Sequence, residues 1–193
     1  NIFLFEVLTM NTISVAGKRL IDDNGRERIF NGINFVYKGI EKDEDGVIRY
    51  KTDLTEDVLK TLRAKGINII RLGLTWAGIE PEPGIYNTGY LDGYKEVLKL
   101  CDKHGMYVFV DWHQDLFSAY CSAPGDGAPE WACIHTKKRQ DPLFIWAEGY
   151  FFRKAVHRCF DNFWANKEYD GIGIQTRFLN MWSHLAERFK DHP

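Results

Sequence analysis

The densest group of chemically capable side chains is the five-residue run Asp111-Trp-His-Gln-Asp115, which directly follows an apolar stretch. It combines two carboxylates, an imidazole and an amide with an indole. Hydrogen-bonding groups beside an aromatic face suit the binding of a sugar ring. Because alternate residues of an extended chain share a face, Asp111, His113 and Asp115 are predicted to point the same way. The same residue types could ligate a metal, but no second cluster of ligands supports that alternative.

Two basic residues upstream are candidates for the same site. Lys38 can donate hydrogen bonds to a sugar hydroxyl or a carboxylate, and a solvent-facing loop lysine is the alternative. Arg71 interrupts the apolar run 67–73, and a buried guanidinium requires an anionic or multiply accepting partner. That partner is either a catalytic carboxylate held ionised or half of a structural ion pair. Glu80, in a proline-rich loop, is interpreted as an anchor of that loop.

Local signals predict where several elements begin and end. A hairpin is predicted over residues 14–30, with its turn on the Asn-Gly pair at 24–25. Asp53 with Glu56 forms a capping box that predicts the start of a helix, and Gly66 predicts its end.

Apolar runs of two kinds alternate along the rest of the chain. Buried strands are predicted at 29–35, 67–73 and 106–111. Amphipathic helices are predicted at 53–66 and 90–104 and, after a long loop over 113–145, as two helices within 147–190 that break near 170–173. Strands that alternate with helices imply parallel β/α units with right-handed crossovers.

The predicted fold class is therefore α/β, a (β/α)8 TIM barrel represented by about its first three β/α units behind an N-terminal β-hairpin. The barrel is expected to be incomplete, because eight β/α units take about 250 residues. Residues 1–12 are assigned to an N-terminal extension and 13–193 to the N-terminal part of the barrel domain. The carboxyl ends of barrel strands carry the active site, which places Lys38 near residues 111–115. An unpaired apolar sheet edge predicts poor folding of such a piece alone.

The length and net charge of the chain indicate which kinds of binding partner to expect. The chain has 193 residues and a net charge of -2, so neither a nucleic acid nor an anionic membrane surface is predicted as a partner. The apolar start at residues 1–9 is short, carries Glu6 and has no basic flank, so we read it as neither a signal peptide nor a membrane span. This favours a cytoplasmic location over secretion, and the sequence leaves the oligomeric state open.

The four cysteines include no CxxC pair, which argues against a zinc cluster or a thioredoxin-type redox motif. Free thiols are expected, and a disulfide between Cys121 and Cys133 is the alternative in an oxidising compartment. The sequence has no GxSxG, P-loop, GxGxxG or HExxH motif, which weakens serine hydrolase, kinase, dinucleotide and zinc-protease hypotheses.

Together the motifs resemble glycoside hydrolase family 5, and within it the endoglycoceramidase branch. The motifs that carry the resemblance lie between residues 30 and 164: Asn31-Gly-Ile-Asn34 with Lys38, Asn68-Ile-Ile-Arg71, Trp76 to Tyr86, Asp111-Trp-His-Gln-Asp115, Gly127-Ala-Pro-Glu-Trp-Ala132 and Phe160-Asp-Asn-Phe-Trp164. The run from Trp76 fits the family broadly. The combination of the motifs at 111–115 and 127–132 is narrower and indicates the ceramide-glycoside branch.

The resemblance implies retaining hydrolysis of a β-glycosidic bond by two glutamates, without a metal or an organic cofactor. The substrate it implies is a glycolipid cut between glycan and ceramide. By resemblance, Lys38, His113 and Asp115 bind the sugar next to the scissile bond, and Arg71 supports the nucleophile.

One departure from the family pattern bears on activity. The family's acid/base lies in an Asn-Glu-Pro motif after the fourth strand, and no such motif occurs in these 193 residues. We therefore assign no catalytic residue and expect this chain to be inactive alone. The alternatives are a glucosylceramidase or steryl-glucosidase, an endo-β-glucanase of the same family, and a non-catalytic glycolipid-binding module.

Overall fold

The computed structural model describes residues 10–191, so most of the predicted N-terminal extension, including the apolar start at 1–9, lies outside the described residues. The strands in this range are Ile13–Ala16 (β1), Arg19–Asp22 (β2), Gly32–Val36 (β3), Ile69–Leu74 (β4), Tyr107–Trp112 (β5), Glu168–Tyr169 (β6) and Ile172–Gly173 (β7). The α-helices are Glu56–Ala64 (α1), Trp76–Ile79 (α2), Thr88–Lys103 (α3), Gly149–Phe152 (α4), Lys154–Trp164 (α5) and Ile174–Phe189 (α6). Short 3-10 helices lie at Glu130–Ala132 and Trp146–Glu148.

The central sheet contains three parallel strands in the order β3, β4, β5. Helix α1 lies between β3 and β4 along the chain, and α2 and α3 lie between β4 and β5. On β4, Ile70, Leu72 and Leu74 are fully buried, so alternation turns Arg71 to the other face of the sheet. The predicted succession of parallel β/α units is confirmed for these three strands.

Helix α3 is tied to the strand that carries Arg71. Its Tyr94 hydroxyl donates a hydrogen bond to the carbonyl of Leu72 at 3.0 Å. Tyr50, from the loop before α1, donates to the carbonyl of Gly73 at 2.9 Å, and the two tyrosine rings meet edge to face at 5.0 Å. These buried contacts fix β4 against the helical layer, which favours a rigid position for the polar residues on its other face.

Helix α1 begins later than the sequence predicted. Its N-cap is Thr55, whose hydroxyl oxygen accepts a hydrogen bond from Val58 N at 3.4 Å. Asp53 lies outside the helix, and its carbonyl accepts from Thr55 N at 2.9 Å. The predicted capping box is therefore wrong, because two residues able to cap stand close together and Thr55 has the extended backbone that a cap requires. The end is as predicted, since Gly66 has φ +83° and its N–H donates to the Arg63 carbonyl.

The N-terminal hairpin turns at a different place from the one predicted. Strands β1 and β2 pair antiparallel around Gly17, which has φ +64° and permits a tight turn. The Asn-Gly turn at 24–25 exists, but it closes only an isolated bridge between Ile21 and Glu27. The carboxylate of Asp22 holds that second turn by accepting from the N–H groups of Asn24 and Arg26. The stretch before the Asn-Gly turn, which the sequence predicted as one strand of the hairpin, therefore forms two short strands, β1 and β2.

The C-terminal third contains the two helices predicted for residues 147–190. They are α5 and α6, separated by the short β6–β7 hairpin at the predicted break, and a third short helix that was not predicted, α4, precedes α5. Within the aromatic run at 160–164, Phe160 and Phe163 pack against the core, whereas Trp164 is 71% exposed. Among residues 10–191, no helix combines the length and apolar character needed to cross a membrane.

Candidate functional site

All four residues predicted to bind ligand or support chemistry meet in one charged network at the carboxyl ends of the parallel strands. Lys38 follows β3, Arg71 lies on β4, and His113 and Asp115 follow β5. The strands bring these residues together because parallel strands share an edge at which all their carboxyl ends meet.

Arg71 and Asp111 form the inner part of the network. Arg71 Nη2 donates to Asp111 Oδ1 at 2.6 Å, and the carboxylate is 7% exposed. In the sheet register Asp111 lies opposite Gly73, two residues beyond Arg71 on the same face, so the guanidinium extends along β4 to reach it. A Cβ atom at Gly73 would lie 2.7 Å from a methyl carbon of Val36, and the close approach of β3 therefore requires a glycine.

His113 joins the inner pair to the outer part of the network. Its Nδ1 lies 3.1 Å from Asp111 Oδ2, and its Nε2 lies 3.4 Å from Asp115 Oδ2. Both ring nitrogens therefore face carboxylate oxygens, which fixes the plane of the imidazole. The side chains of Asp111, His113 and Asp115 therefore point in the same direction, as predicted.

Lys38 closes the network from the loop after β3. Its ammonium group pairs with the carboxylate of Asp115 and lies 3.2 Å from Asp126 Oδ2. Burial alone would lower the pKa of Lys38, but the two carboxylates outweigh burial and raise it. The lysine is therefore held charged beside the two carboxylates, while its side chain remains 48% exposed.

Asp126 is a site residue that the sequence reasoning missed. Its backbone pairs with that of Asp115 in an isolated antiparallel bridge, with N–H to O distances of 2.9 and 3.2 Å. Burial raises the pKa of its carboxyl group, and the charges of Lys38 and His113 oppose that rise. Asp126 is 7% exposed and joins the network through its charge, because its Oδ2 atom lies 3.2 Å from Lys38 Nζ but has no hydrogen-bond partner among the described residues.

The loop backbone that presents Asp126 depends on two glycines. A Cβ atom at Gly125 would lie 2.6 Å from the carbonyl oxygens of Ser118 and Ser122. Gly127 has φ +114°, and a Cβ atom there would lie 2.5 Å from Gln114 Cβ. The motif Gly125-Asp126-Gly127 is therefore the sequence signal that could have indicated a tightly held aspartate.

The indole of Trp112 does not flank the polar groups as the sequence had suggested. It packs on the helical side of β5, with its ring centroid 4.9 Å from Phe178 and 5.5 Å from Trp182. Alternation explains the result, because a residue between Asp111 and His113 on a strand must face the other way. Gln114 is also turned away from ligand, since its side-chain oxygen accepts from Phe117 N at 2.8 Å.

Glu80 is an anchor of its loop, as predicted. The side chain is 1% exposed, and its oxygens accept from Trp76 Nε1 and Gly84 N, each at 2.7 Å. Burial raises the pKa of Glu80, although these two hydrogen bonds act against it. The backbone carbonyl of Glu80 also accepts from Trp131 Nε1 at 3.2 Å. The glutamate thus joins two loops, and its hydrogen bonds within residues 10–191 are made to groups outside the charged network.

Within the part of the chain that the structure describes, two groups of side chains have the composition of a metal site. His113, Asp115 and Asp126 offer ligand atoms within 4.8 Å of one another, but the Lys38 ammonium pairs with both carboxylates and supplies the positive charge there. The second group contains Cys121, His135 and Cys159 and lies apart from the network. All four cysteines are free, and Cys121 lies against Cys159 instead of bonding to Cys133.

A parallel β/α sheet with a charged network at the carboxyl ends of its strands has the layout of a (β/α)8-barrel enzyme. The chain belongs to glycosyl hydrolase family 5, since the family described as cellulase (glycosyl hydrolase family 5) matches residues 23–193. This bears out the family inferred from the motifs.

Relatives within and near this family share most of the chain. It is 30% identical to an endoglycoceramidase of Hydra vulgaris, over 90% of this chain and 37% of that protein. It is 38% identical to an ergosteryl-β-glucosidase of Saccharomyces cerevisiae, over 72% of this chain and 22% of that protein. A solved complex of endo-glycoceramidase II from Rhodococcus sp. with ganglioside GM3 superposes with a TM-score of 0.75 at 29% identity, over 91% of this chain and 40% of the other. The chain thus spans about two fifths or less of each of these relatives.

Proposed function

We propose that this chain is part of a retaining β-glycosidase that hydrolyses the bond between glycan and ceramide in glycosphingolipids. The proposal rests on membership of family 5 and on similarity to relatives named as endoglycoceramidases and glucosylceramidases. The observation that carries it is the convergence of Lys38, Arg71, His113 and Asp115 in one network, since the family resemblance implies that Arg71 supports the nucleophile and that the other three bind the sugar beside it.

The network has the donors and acceptors that a sugar ring requires. Lys38 is a donor, and the carboxylates of Asp115 and Asp126 are acceptors. Lys38 pairs with Asp115 and lies beside Asp126, whose Oδ2 atom has no hydrogen-bond partner among the described residues. A sugar with adjacent hydroxyls can donate to these carboxylates and accept from the lysine. We assign Lys38, His113 and Asp115 to binding of the sugar next to the scissile bond and add Asp126 to them.

Arg71 is proposed to support the nucleophile. The arginine side chain remains 39% exposed while it pairs with Asp111, so its guanidinium has room for a second anion on the same face. A cation held there favours the ionised form of a nearby carboxyl group, which is the form that attacks the anomeric carbon.

Both reacting carboxylates are expected outside these 193 residues. No Asn-Glu-Pro motif occurs in the sequence, and Glu80, a buried glutamate near the sheet, is engaged as a loop anchor. We therefore propose that residues 1–193 alone bind sugar weakly at best and do not hydrolyse it.

The proposal is tested by the substrate range of the full-length protein. Incubation with lactosylceramide should release intact lactose and ceramide, and residues 1–193 alone should release neither. The rival with the most specific support is a steryl-glucosidase, because the yeast ergosteryl-β-glucosidase is 38% identical over the matched region. Release of glucose from a steryl glucoside, with lactosylceramide left intact, would establish that rival. Cleavage of cellulose oligosaccharides without cleavage of either glycolipid would establish a glucanase and refute our proposal.

A further inference from the structure

Cys121, His135 and Cys159 form a cluster of potential metal ligands that is separate from the charged network. Cys121 and Cys159 are fully buried, and their sulfur atoms lie 2.9 Å apart. A ring nitrogen of His135 lies within 4.8 Å of both sulfurs. Cys133 lies two residues before His135, lines the same groove as His135, and donates from its thiol to the Pro129 carbonyl at 3.3 Å.

His135 is the residue whose position lacks an explanation in packing alone. Its Nδ1 atom is buried and has no hydrogen-bond partner among the described residues. A buried ring nitrogen without a partner costs free energy, so such atoms normally have a bound ion, a water or a protein donor. Here the nearest groups of matching chemistry are thiols, which become metal ligands when they lose their protons.

The distance between Cys121 and Cys159 is compatible with two outcomes. A disulfide would bring the sulfurs to about 2.05 Å. Two thiolates on one tetrahedral zinc ion, with bonds of about 2.3 Å, would lie roughly 3.8 Å apart. The observed 2.9 Å is intermediate, and the imidazole decides between the outcomes, because a disulfide gives no role to a nitrogen donor.

We propose that Cys121, Cys159 and His135 bind a zinc(II) ion, and that Cys133, which lines one groove with His135, moves from the Pro129 carbonyl to become the fourth ligand. Three thiolates and one imidazole form a donor set that zinc prefers in structural sites, and binding releases one proton from each thiol to solvent. The ligands come from distant parts of the sequence, which is why the absence of a CxxC pair had argued against a zinc cluster.

Zinc at this position would join the loop that holds Asp126 to the helical layer. Cys121 and Cys133 flank Asp126 along the chain, and Cys159 lies on α5. Cys133 and His135 also line an open groove of about 620 Å³, which gives an ion a route to the ligands from solvent. The site is structural in this proposal, because it lies apart from the charged network and takes no part in hydrolysis.

The test measures metal content and does not depend on enzymatic activity. The full-length protein is equilibrated with zinc sulfate under reducing conditions, desalted and analysed by inductively coupled plasma mass spectrometry. We expect about one zinc ion per chain. Cys159→Ala and His135→Ala should each lower zinc to background, whereas Cys101→Ala, which removes a fully buried thiol on α3, should retain it. Background zinc in the parent protein, or full zinc in both ligand variants, would overturn the proposal.

A second readout covers the case in which the ligand variants fail to fold. The parent protein is loaded with cobalt(II) in place of zinc, and thiolate coordination should produce intense near-ultraviolet charge-transfer absorption that added zinc abolishes. Absence of this absorption would count against the site. A peptide map of the non-reduced protein that shows a disulfide between Cys121 and Cys159 would also refute it, because the same sulfur atoms cannot serve both purposes.

Discussion

Lys38 Nζ lies 3.2 Å from Asp126 Oδ2, so an ammonium group from the loop after β3 meets a carboxylate from the loop after β5. Asp115 pairs with the same ammonium group. The two loops are therefore held together by charge across the carboxyl ends of the sheet. Most of our predictions concern this junction and the residues that support it.

Removal of the Lys38 charge should reduce catalysis by the full-length protein more than it reduces stability. Lys38→Met removes a charged hydrogen-bond donor to the sugar, and such bonds contribute about 1.5–3 kcal/mol. We expect kcat/KM on lactosylceramide to fall about tenfold to a hundredfold. The matched control is Lys60→Met, which removes an exposed lysine on α1 and should leave kcat/KM unchanged. Equal effects of the two substitutions would contradict the assignment of Lys38 to the sugar site.

The pair of Arg71 with Asp111 should contribute measurably to stability. Arg71→Met leaves the buried Asp111 carboxylate without its guanidinium partner, and an unsatisfied buried acceptor costs about 1–3 kcal/mol. The control Arg19→Met removes a cation whose ion pair with Glu27 is exposed at 3.8 Å, and should change the free energy of unfolding by less than about 0.5 kcal/mol. Urea denaturation of the full-length protein measures both changes.

The pKa of Asp126 predicts a pH dependence with a definite sign. Burial raises this pKa, so the folded protein holds the proton more tightly than the unfolded chain, in which the ordinary value is 3.8. The stability gained from that proton is fully present below pH 3.8 and is lost as the pH rises through the folded pKa. Asp126→Asn has no carboxyl group that can ionise. Its melting temperature relative to the parent should therefore increase from low pH toward neutrality.

A comparison of opposite sign is available at Asp45, whose pKa is lowered to about 2 by hydrogen bonds from Arg49 and from Val47 N. The melting temperature of Asp45→Asn relative to the parent should decrease from low pH toward neutrality, because the stability contributed by this ionised carboxylate is present above pH 3.8 and lost as the pH falls toward 2. If the melting temperatures of Asp126→Asn and the parent change in parallel with pH, the Lys38 charge cancels the effect of burial on the pKa of Asp126.

The backbone at Gly127 lies close to Gln114, so an alanine at position 127 should lower the free energy of unfolding. Gly127→Ala imposes a left-handed backbone conformation on an L-residue and places its Cβ atom 2.5 Å from Gln114 Cβ. Gly171→Ala has the same kind of backbone, with φ +71° but nothing within 4 Å of the added atom, and should cost about 1–2 kcal/mol. We expect Gly127→Ala to cost about 1–3 kcal/mol more than that control, as judged by urea denaturation. A smaller cost would show that the loop gives way.

The role of Glu80 as an anchor predicts that its charge is dispensable for chemistry. Glu80→Gln keeps an oxygen that can accept from Trp76 Nε1 or Gly84 N. The full-length variant should retain kcat within a few-fold of the parent, since loss of an acid or base would lower it by about a hundredfold or more. A fall of that size, in a variant with unchanged stability, would reassign Glu80 to the reaction.

The strands and most site residues could be predicted because local patterns determine them. The apolar runs around Arg71 and before Asp111 indicate buried parallel strands, and the carboxyl ends of such strands lie at one edge. Period-two alternation gave the common direction of Asp111 and His113. The same rule, applied to Trp112, would have placed its indole among the helices, where it lies.

Asp126 could not be predicted in the same way, because its position depends on a long-range bridge to Asp115 and not on any repeating pattern. The predicted start of α1 was wrong for a different reason. Asp53 and Thr55 can both cap a helix, and the choice depends on backbone geometry that composition does not encode. The meeting of Cys121, His135 and Cys159 likewise depends on how the long loop folds onto α5.

The backbone bridge between Asp115 and Asp126 couples the positions of their two carboxylates. Any fluctuation that opens the intervening segment withdraws both acceptors from Lys38 at once. A bound sugar would therefore suppress that local opening, and the amide hydrogens of this segment would exchange with deuterated solvent more slowly when the ligand is present.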